Sequence, residues 1–271
     1  MKIGLIDSGI GGLSVLHEAY HQLPGQEYLF FADVLHVPYG EKTPEQIVGY
    51  MIENAQFLIE KGAQALVVAC NTATSVAIKE LRSRFDIPIL GMEPAVKPAV
   101  EETEKKRIMV IATPVTIRED KLKSLLHRVD EEHRVDLLAM PRLVEFAERE
   151  QFDGPEVEAY IKEQFGTFDK SDYCALVLGC THFNYFKPAF RDYFGENTLL
   201  IDGNHGTVRH LADVLDLKTS QQHTEVFFDT YHNMLCHAKT EYYFSKKLIN
   251  DEKTLEHLKR LHNRLEQVRN V

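Results

Sequence analysis

A strand-and-turn unit written twice constrains this chain more than any other feature. Ala65-Leu66-Val67-Val68-Ala69-Cys70-Asn71-Thr72 and Ala175-Leu176-Val177-Leu178-Gly179-Cys180-Thr181-His182 stand 110 positions apart and match step by step: an apolar run, a small residue, a cysteine, a polar turn. A second pair, residues 2–8 and 107–113, repeats at an offset of 105. Short continuous apolar runs bounded by turn residues read as strands buried on both faces, as in parallel sheets. Parallel strands need helical crossovers, and the intervening stretches supply them.

Strand-like segments at 3–6, 28–32, 65–69 and 87–90 alternate with helix-like stretches ending near 23 and covering about 44–61 and 74–85. The pattern restarts at 108–112, with strands at 135–139, 175–179 and 199–201 and helices over about 118–129, 143–149, 155–165 and 187–194. This alternation predicts an α/β fold of two similar, mostly parallel-sheet domains related by pseudo-two-fold symmetry, with the active site at their interface. The expected division is residues 1–97 plus 210–271 for the first domain and 98–209 for the second. Leu255, Leu258, Leu261, Leu265 and Val268 recur at helical spacing, which predicts a C-terminal helix packed back on the first domain.

Composition excludes several classes of function. A formal net charge of −10 argues against nucleic acid as a partner, because phosphate binding needs a basic surface. The longest apolar runs are strand-sized, too short to span a bilayer, and the N-terminus offers no signal-like apolar region, so a cytoplasmic protein is expected. Four cysteines in 271 residues are too few for a disulfide framework. Each must be explained by packing, metal binding or reactivity. Cys174 and Cys236 read as buried small hydrophobes.

Cys70 and Cys180 read differently. Ligands of open α/β sheets collect at the carboxyl ends of the strands, where three polar turns stand: Asp7-Ser8-Gly9, Cys70-Asn71-Thr72 and Cys180-Thr181-His182. If the halves face each other, the two thiols approach one ligand from opposite sides. That arrangement suits inversion at a carbon acid, in which one group removes a proton from one face and another returns one to the opposite face. At any moment one sulfur must be thiolate and the other thiol. A helix N-terminus after each strand favours the thiolate. Asp7 and His182 are the carboxylate and imidazole placed to assist.

Other readings compete. Cys180, His182 and a third ligand would make a zinc site, although Cys-x-His alone is a weak motif. A nucleophilic hydrolase built on Cys180 and His182 would leave Cys70 idle. Gly9-Ile10-Gly11-Gly12, with Asp33 at the end of the next strand, approaches a dinucleotide fingerprint, but Ser14 stands at the third glycine position. That turn reads better as a loop whose N–H groups hold a small anion such as a carboxylate, with Ser8 adding a hydroxyl.

Asp7-Ser8-Gly9-Ile10-Gly11-Gly12, Pro38-Tyr39-Gly40, Cys70-Asn71-Thr72-Ala73 and Gly179-Cys180-Thr181-His182, in that order over almost the whole chain, resemble the glutamate racemases of the aspartate/glutamate racemase superfamily. The resemblance implies an amino-acid racemase without PLP, other cofactor or metal, acting on a small-molecule amino acid and supplying D-glutamate for peptidoglycan, as a homodimer. It implies Cys70 and Cys180 as proton donors and acceptors with Asp7 and His182 as auxiliaries. Asp7, Ser8, Tyr39, Gly40, Asn71, Thr72, Thr181 and His182 are implied to bind the substrate. Thr116 and Glu145 sit where family members carry a further threonine and glutamate near the site. The chain departs from the family pattern at Met140-Pro141, at Asn184, at Ile201-Asp202-Gly203 and at Phe31-Ala32-Asp33. A racemase for another small amino acid, or a catalytically silent interaction protein of the same fold, stands as the alternative.

Overall fold

The repeat becomes two sheets built to one plan. The structure is a computed structural model, described over residues 1–103, 106–220, 228–229, 234–235 and 238–271; Cys236 lies outside them. The first series comprises β1 (Lys2–Asp7), α1 (Leu13–Gln22), β2 (Glu27–Ala32), α2 (Pro44–Glu60), β3 (Ala65–Val68), α3 (Asn71–Arg84), β4 (Ile89–Gly91) and α4 (Val96–Glu102). The second comprises β5 (Arg107–Ala112), α5 (Pro114–Arg118), α6 (Asp120–Val129), β6 (Val135–Ala139), α7 (Arg142–Glu148), α8 (Pro155–Phe165), β7 (Tyr173–Leu178), α9 (Lys187–Phe194), β8 (Leu199–Asp202) and α10 (Asn204–Val214). The chain closes with short strands β9 (Phe228–Asp229) and β10 (Met234–Leu235), then β11 (Ala238–Phe244), β12 (Lys247–Leu248) and α11 (Glu252–Val268).

Strand order is β4-β3-β1-β2 in the first sheet and β8-β7-β5-β6 in the second, all parallel. Register repeats as well as order. Ile3 pairs with Ala65 and Gly4 with Leu66, while Ile108 pairs with Ala175 and Met109 with Leu176. The cysteine following each third strand of its series therefore arrives at an equivalent place. The first sheet extends beyond β2 through β11, which pairs parallel to it, a strand that the sequence periodicity does not announce.

Side chains alternate across each sheet, as a period of two requires. Ile3, Leu5, Tyr28 and Phe30 turn to a core shared with Met109, Ile111, Leu176 and Leu178 of the other sheet. Ile6, Leu29, Phe31 and Val68 turn to the other side, against Ile47, Met51 and Leu58 of α2 and Leu81 of α3. Ile108, Val110, Ala175 and Val177 pack with Leu122 and Leu125 of α6.

Three expectations need adjustment. The helix expected over 118–129 is α6, which begins at Asp120 after an extended Glu119, while Arg118 closes a separate helix, α5, whose cap Thr113 accepts from Thr116 N. Helices α4 and α10 were not anticipated; α10 packs on α1. The C-terminal helix packs on α1 but also on the 3₁₀ segment Thr181–Phe186, with Arg264 Nη2 donating to the Tyr185 carbonyl at 3.3 Å, so it touches both halves. We propose that the chain divides between its two sheets, residues 1–97 with 210–271 on one and 98–209 on the other.

Candidate active site

The first turn and the second cysteine turn meet face to face. Thr181 Oγ1 donates to Asp7 Oδ2 at 3.1 Å, and Ser14 Oγ donates to the Thr181 carbonyl at 3.3 Å. Glycine is required where they touch. A Cβ on Gly11 would lie 2.5 Å from Thr181 Oγ1 and still closer to His182 Nδ1, and one on Gly9 would run into the Glu148 carboxylate. These glycines let two halves approach.

The turn was expected to offer its N–H groups to a small anion, but the protein takes them. Gly9 N donates to Asp7 Oδ1 at 3.0 Å and Ile10 N to Glu148 Oε1 at 2.8 Å, and Gly11 N abuts the His182 ring, 3.3 Å from Nε2. Asp33, the acid of the rejected dinucleotide reading, accepts from the Tyr39 hydroxyl at 2.7 Å and from Asn54 Nδ2 at 3.3 Å. Tyr39 is thus buried with its hydroxyl committed, and Gly40 backs onto Thr113, which a Cβ would approach to 3.2 Å.

Cys70 caps the N-terminus of α3: its Sγ accepts from Ala73 N at 3.4 Å and donates toward Ser8 Oγ at 3.8 Å. The helix end was expected to favour thiolate here. Burial pushes the thiol up instead, and the Asp7 charge pushes it further, against the opposing pull of the Ala73 and Ser8 bonds. Cys70 is therefore a neutral thiol. Burial also raises Asp7 above the usual carboxylate range, resisted by His182, the Gly9 N–H and Thr181.

Cys180 has a different setting. It precedes a 3₁₀ segment, not an α-helix, and its Sγ lies 3.8 Å from His182 Nδ1. His182 Nε2 lies 2.7 Å from Glu148 Oε1 at the end of α7. Burial alone would drive the His182 proton off, but the bonds to Cys180 and Glu148 outweigh it and hold His182 well above an ordinary histidine. The result is an imidazolium between the Cys180 sulfur and a carboxylate.

Around this pair, Thr72 Oγ1 meets Thr113 Oγ1 at 2.8 Å and Thr116 Oγ1 at 3.2 Å, so Thr116 joins the Cys70 turn. Asn71 is buried, and its Oδ1 has no partner among the described residues. Asn184 Nδ2 donates to the Thr181 carbonyl at 3.1 Å and so braces the second turn. Glu145 does not join this network. Its charge is felt at Tyr160, and Glu148, nearly one helical turn later, takes the place beside His182. No motif marks Glu148. The available signal is α7 itself, whose apolar face fixes which glutamate turns inward. Cys174 is half-buried against the Arg107 carbonyl, apart from these groups.

Comparison with known proteins places the chain in a family. The family model for Asp/Glu/hydantoin racemases matches residues 7–211. A glutamate racemase of Lachnospira eligens is 46% identical over 273 residues, all of both chains. One from Campylobacter curvus is 54% identical over 221 residues, covering 79% of this chain and 83% of its own. The crystal structure of glutamate racemase from Campylobacter jejuni superposes with a TM-score of 0.78 at 29% identity, covering 97% of this chain and 98% of that one. The chain belongs to the Asp/Glu/hydantoin racemase family.

Proposed function

We propose that this enzyme interconverts L- and D-glutamate with Cys70 and Cys180 as opposed acid/base groups and no cofactor. One observation carries the reading: equivalent strands of two like sheets lead into cysteine turns that are joined through Ser8, Asp7 and Thr181 in one buried hydrogen-bonded set. In one direction the Cys180 thiolate, beside the His182 imidazolium, takes the α-proton while the Cys70 thiol delivers its proton to the opposite face. The reverse direction exchanges the roles, and resetting the pair returns one proton to Cys70 by way of Asp7 as one leaves Cys180 by way of His182. Glu148 positions His182.

Substrate binding falls to Ser8, Asn71, Thr72, Thr181, His182 and the Tyr39-Gly40 backbone. The unpaired Asn71 Oδ1 suits the substrate ammonium, and hydroxyl dipoles suit its carboxylates. Glutamate, in place of another small amino acid, follows the names of the relatives. Supply of D-glutamate for peptidoglycan, a homodimeric state and a cytoplasmic location belong to the same reading. Among the described residues no helix is long and apolar enough to cross a membrane. The test is circular dichroism of pure L-glutamate with the enzyme, run beside L-aspartate and L-alanine. The glutamate signal is expected to decay to zero. A stable signal with glutamate and decay with another acid would transfer the site to that substrate.

A further inference from the structure

The proton machinery leaves unused a group of buried titratable side chains between the first and last helices. Residues 17–21 read His17-Glu18-Ala19-Tyr20-His21, the H-E-x-x-H spacing that sets two imidazoles on one helix face. The whole run lies within α1. Both imidazoles are buried, and both aim Nε2 at one oxygen, Glu266 Oε2 on α11, at 2.7 Å from His17 and 3.0 Å from His21. Among the described residues, these are the one trio of histidine, cysteine or acidic side chains whose donor atoms all lie within 4.8 Å of one another.

We propose that His17, His21 and Glu266 form a divalent transition-metal site, zinc by its donor set, that fastens α11 to α1 outside the reaction. Two imidazoles and one carboxylate are established zinc donors. Bonds of about 2.0–2.1 Å in a tetrahedron separate donors by about 3.3 Å. The present nitrogen–oxygen distances need only a small outward rotation, and Glu266 is free to make it, since its side chain is 42% exposed. A cavity of about 270 Å³ borders His17, Leu265 and Arg269 beside the site.

The outer partners fit the same assignment. His17 Nδ1 lies 3.2 Å from His262 Nδ1, and His262 Nε2 lies 3.3 Å from the Tyr242 hydroxyl. With its Nδ1 proton given to His262, His17 keeps the Nε2 lone pair for an ion, the arrangement that orients ligand histidines. Among the described residues His21 Nδ1 has no partner, so none of them fixes the His21 ring in one tautomer. Glu18, which in a hydrolytic centre of this spacing would act as base, is occupied by Gln22 at 2.7 Å, His205 at 3.2 Å and Arg269 at 3.4 Å. The ion therefore holds helices together. It acts close to the active site, because α1 also carries Ser14, the donor to the Thr181 carbonyl.

The test is a Co²⁺ titration of the full-length, chelator-treated protein, read by visible d–d absorption and reversed by Zn²⁺. One Co²⁺ per chain is expected in wild type and equally in the C70S/C180S double variant. H21Q and E266Q are expected to weaken it by more than the roughly 10–100-fold that loss of an outer partner costs. Zn²⁺ should also raise the Tm of wild type and leave that of E266Q unchanged. E266Q alters a half-exposed side chain and decides the matter should H21Q fail to fold. No d–d band at millimolar Co²⁺, a thiolate charge-transfer band that C70S/C180S removes, or wild-type affinity in E266Q would each overturn the site.

Discussion

Cys70 and Cys180 occupy matching registers of matching sheets, yet their surroundings are opposite in charge. Cys70 caps a long α-helix but sits beside Asp7 in a buried turn, and the helix end loses to burial and the carboxylate. Cys180 has no α-helix behind it and faces an imidazolium held by Glu148. Duplication thus supplies position, and the residues around each turn supply protonation state. The two thiols therefore face different charges before any substrate arrives.

The comparison can be broken in order of expected effect. Cys70→Ser and Cys180→Ser should each lower racemisation in both directions by about 10²–10⁴-fold or more, the range of a lost general acid or base, measured by polarimetry from L- and from D-glutamate. Gly11→Ala drives a methyl group between the halves at Thr181 and His182 and should cost on the order of 10²-fold in kcat/KM, with the fold intact by circular dichroism. Glu148→Gln should cost less, about 10-fold in kcat/KM, a partial misplacement of His182. It also moves the pH profile. Glu148 helps raise His182, and the imidazolium exists only below its own pKa, so losing the anion lowers that value and shifts the basic limb of kcat/KM to lower pH. An unshifted limb would remove Glu148 from the proton path. Smallest is Thr116→Val, which deletes the hydroxyl bonded to Thr72 and Thr113 and should cost about 1 kcal/mol in denaturant unfolding with a few-fold rise in KM.

Local pattern made much of this legible. The strands, their order of appearance and the paired cysteines follow from apolar runs and an offset repeat, because parallel-strand burial is written in consecutive residues. Long-range contacts were not legible. β11 is an ordinary mixed run until β2 lies beside it, and Glu148 differs from Glu145 only by the facing of a short helix. The glycine turn was misassigned for the same reason: its N–H groups look free until Glu148 and His182 arrive from 138 and 171 residues away. The spacing of His17-Glu18-Ala19-Tyr20-His21 is legible in the sequence and needs no coordinates. Its third donor, Glu266, lies 245 residues beyond His21 and does.

The central claim is that two different groups serve the two faces of the α-carbon. It is tested most directly by following L-glutamate in D₂O with wild-type enzyme, quenched early and read by NMR at Cα of each enantiomer. Two opposed thiols predict deuterium in the D-glutamate formed while the remaining L-glutamate keeps its proton, and the mirror result from D-glutamate. Product that retains the substrate's own α-proton, or deuterium entering both enantiomers equally from the first turnovers, would contradict it.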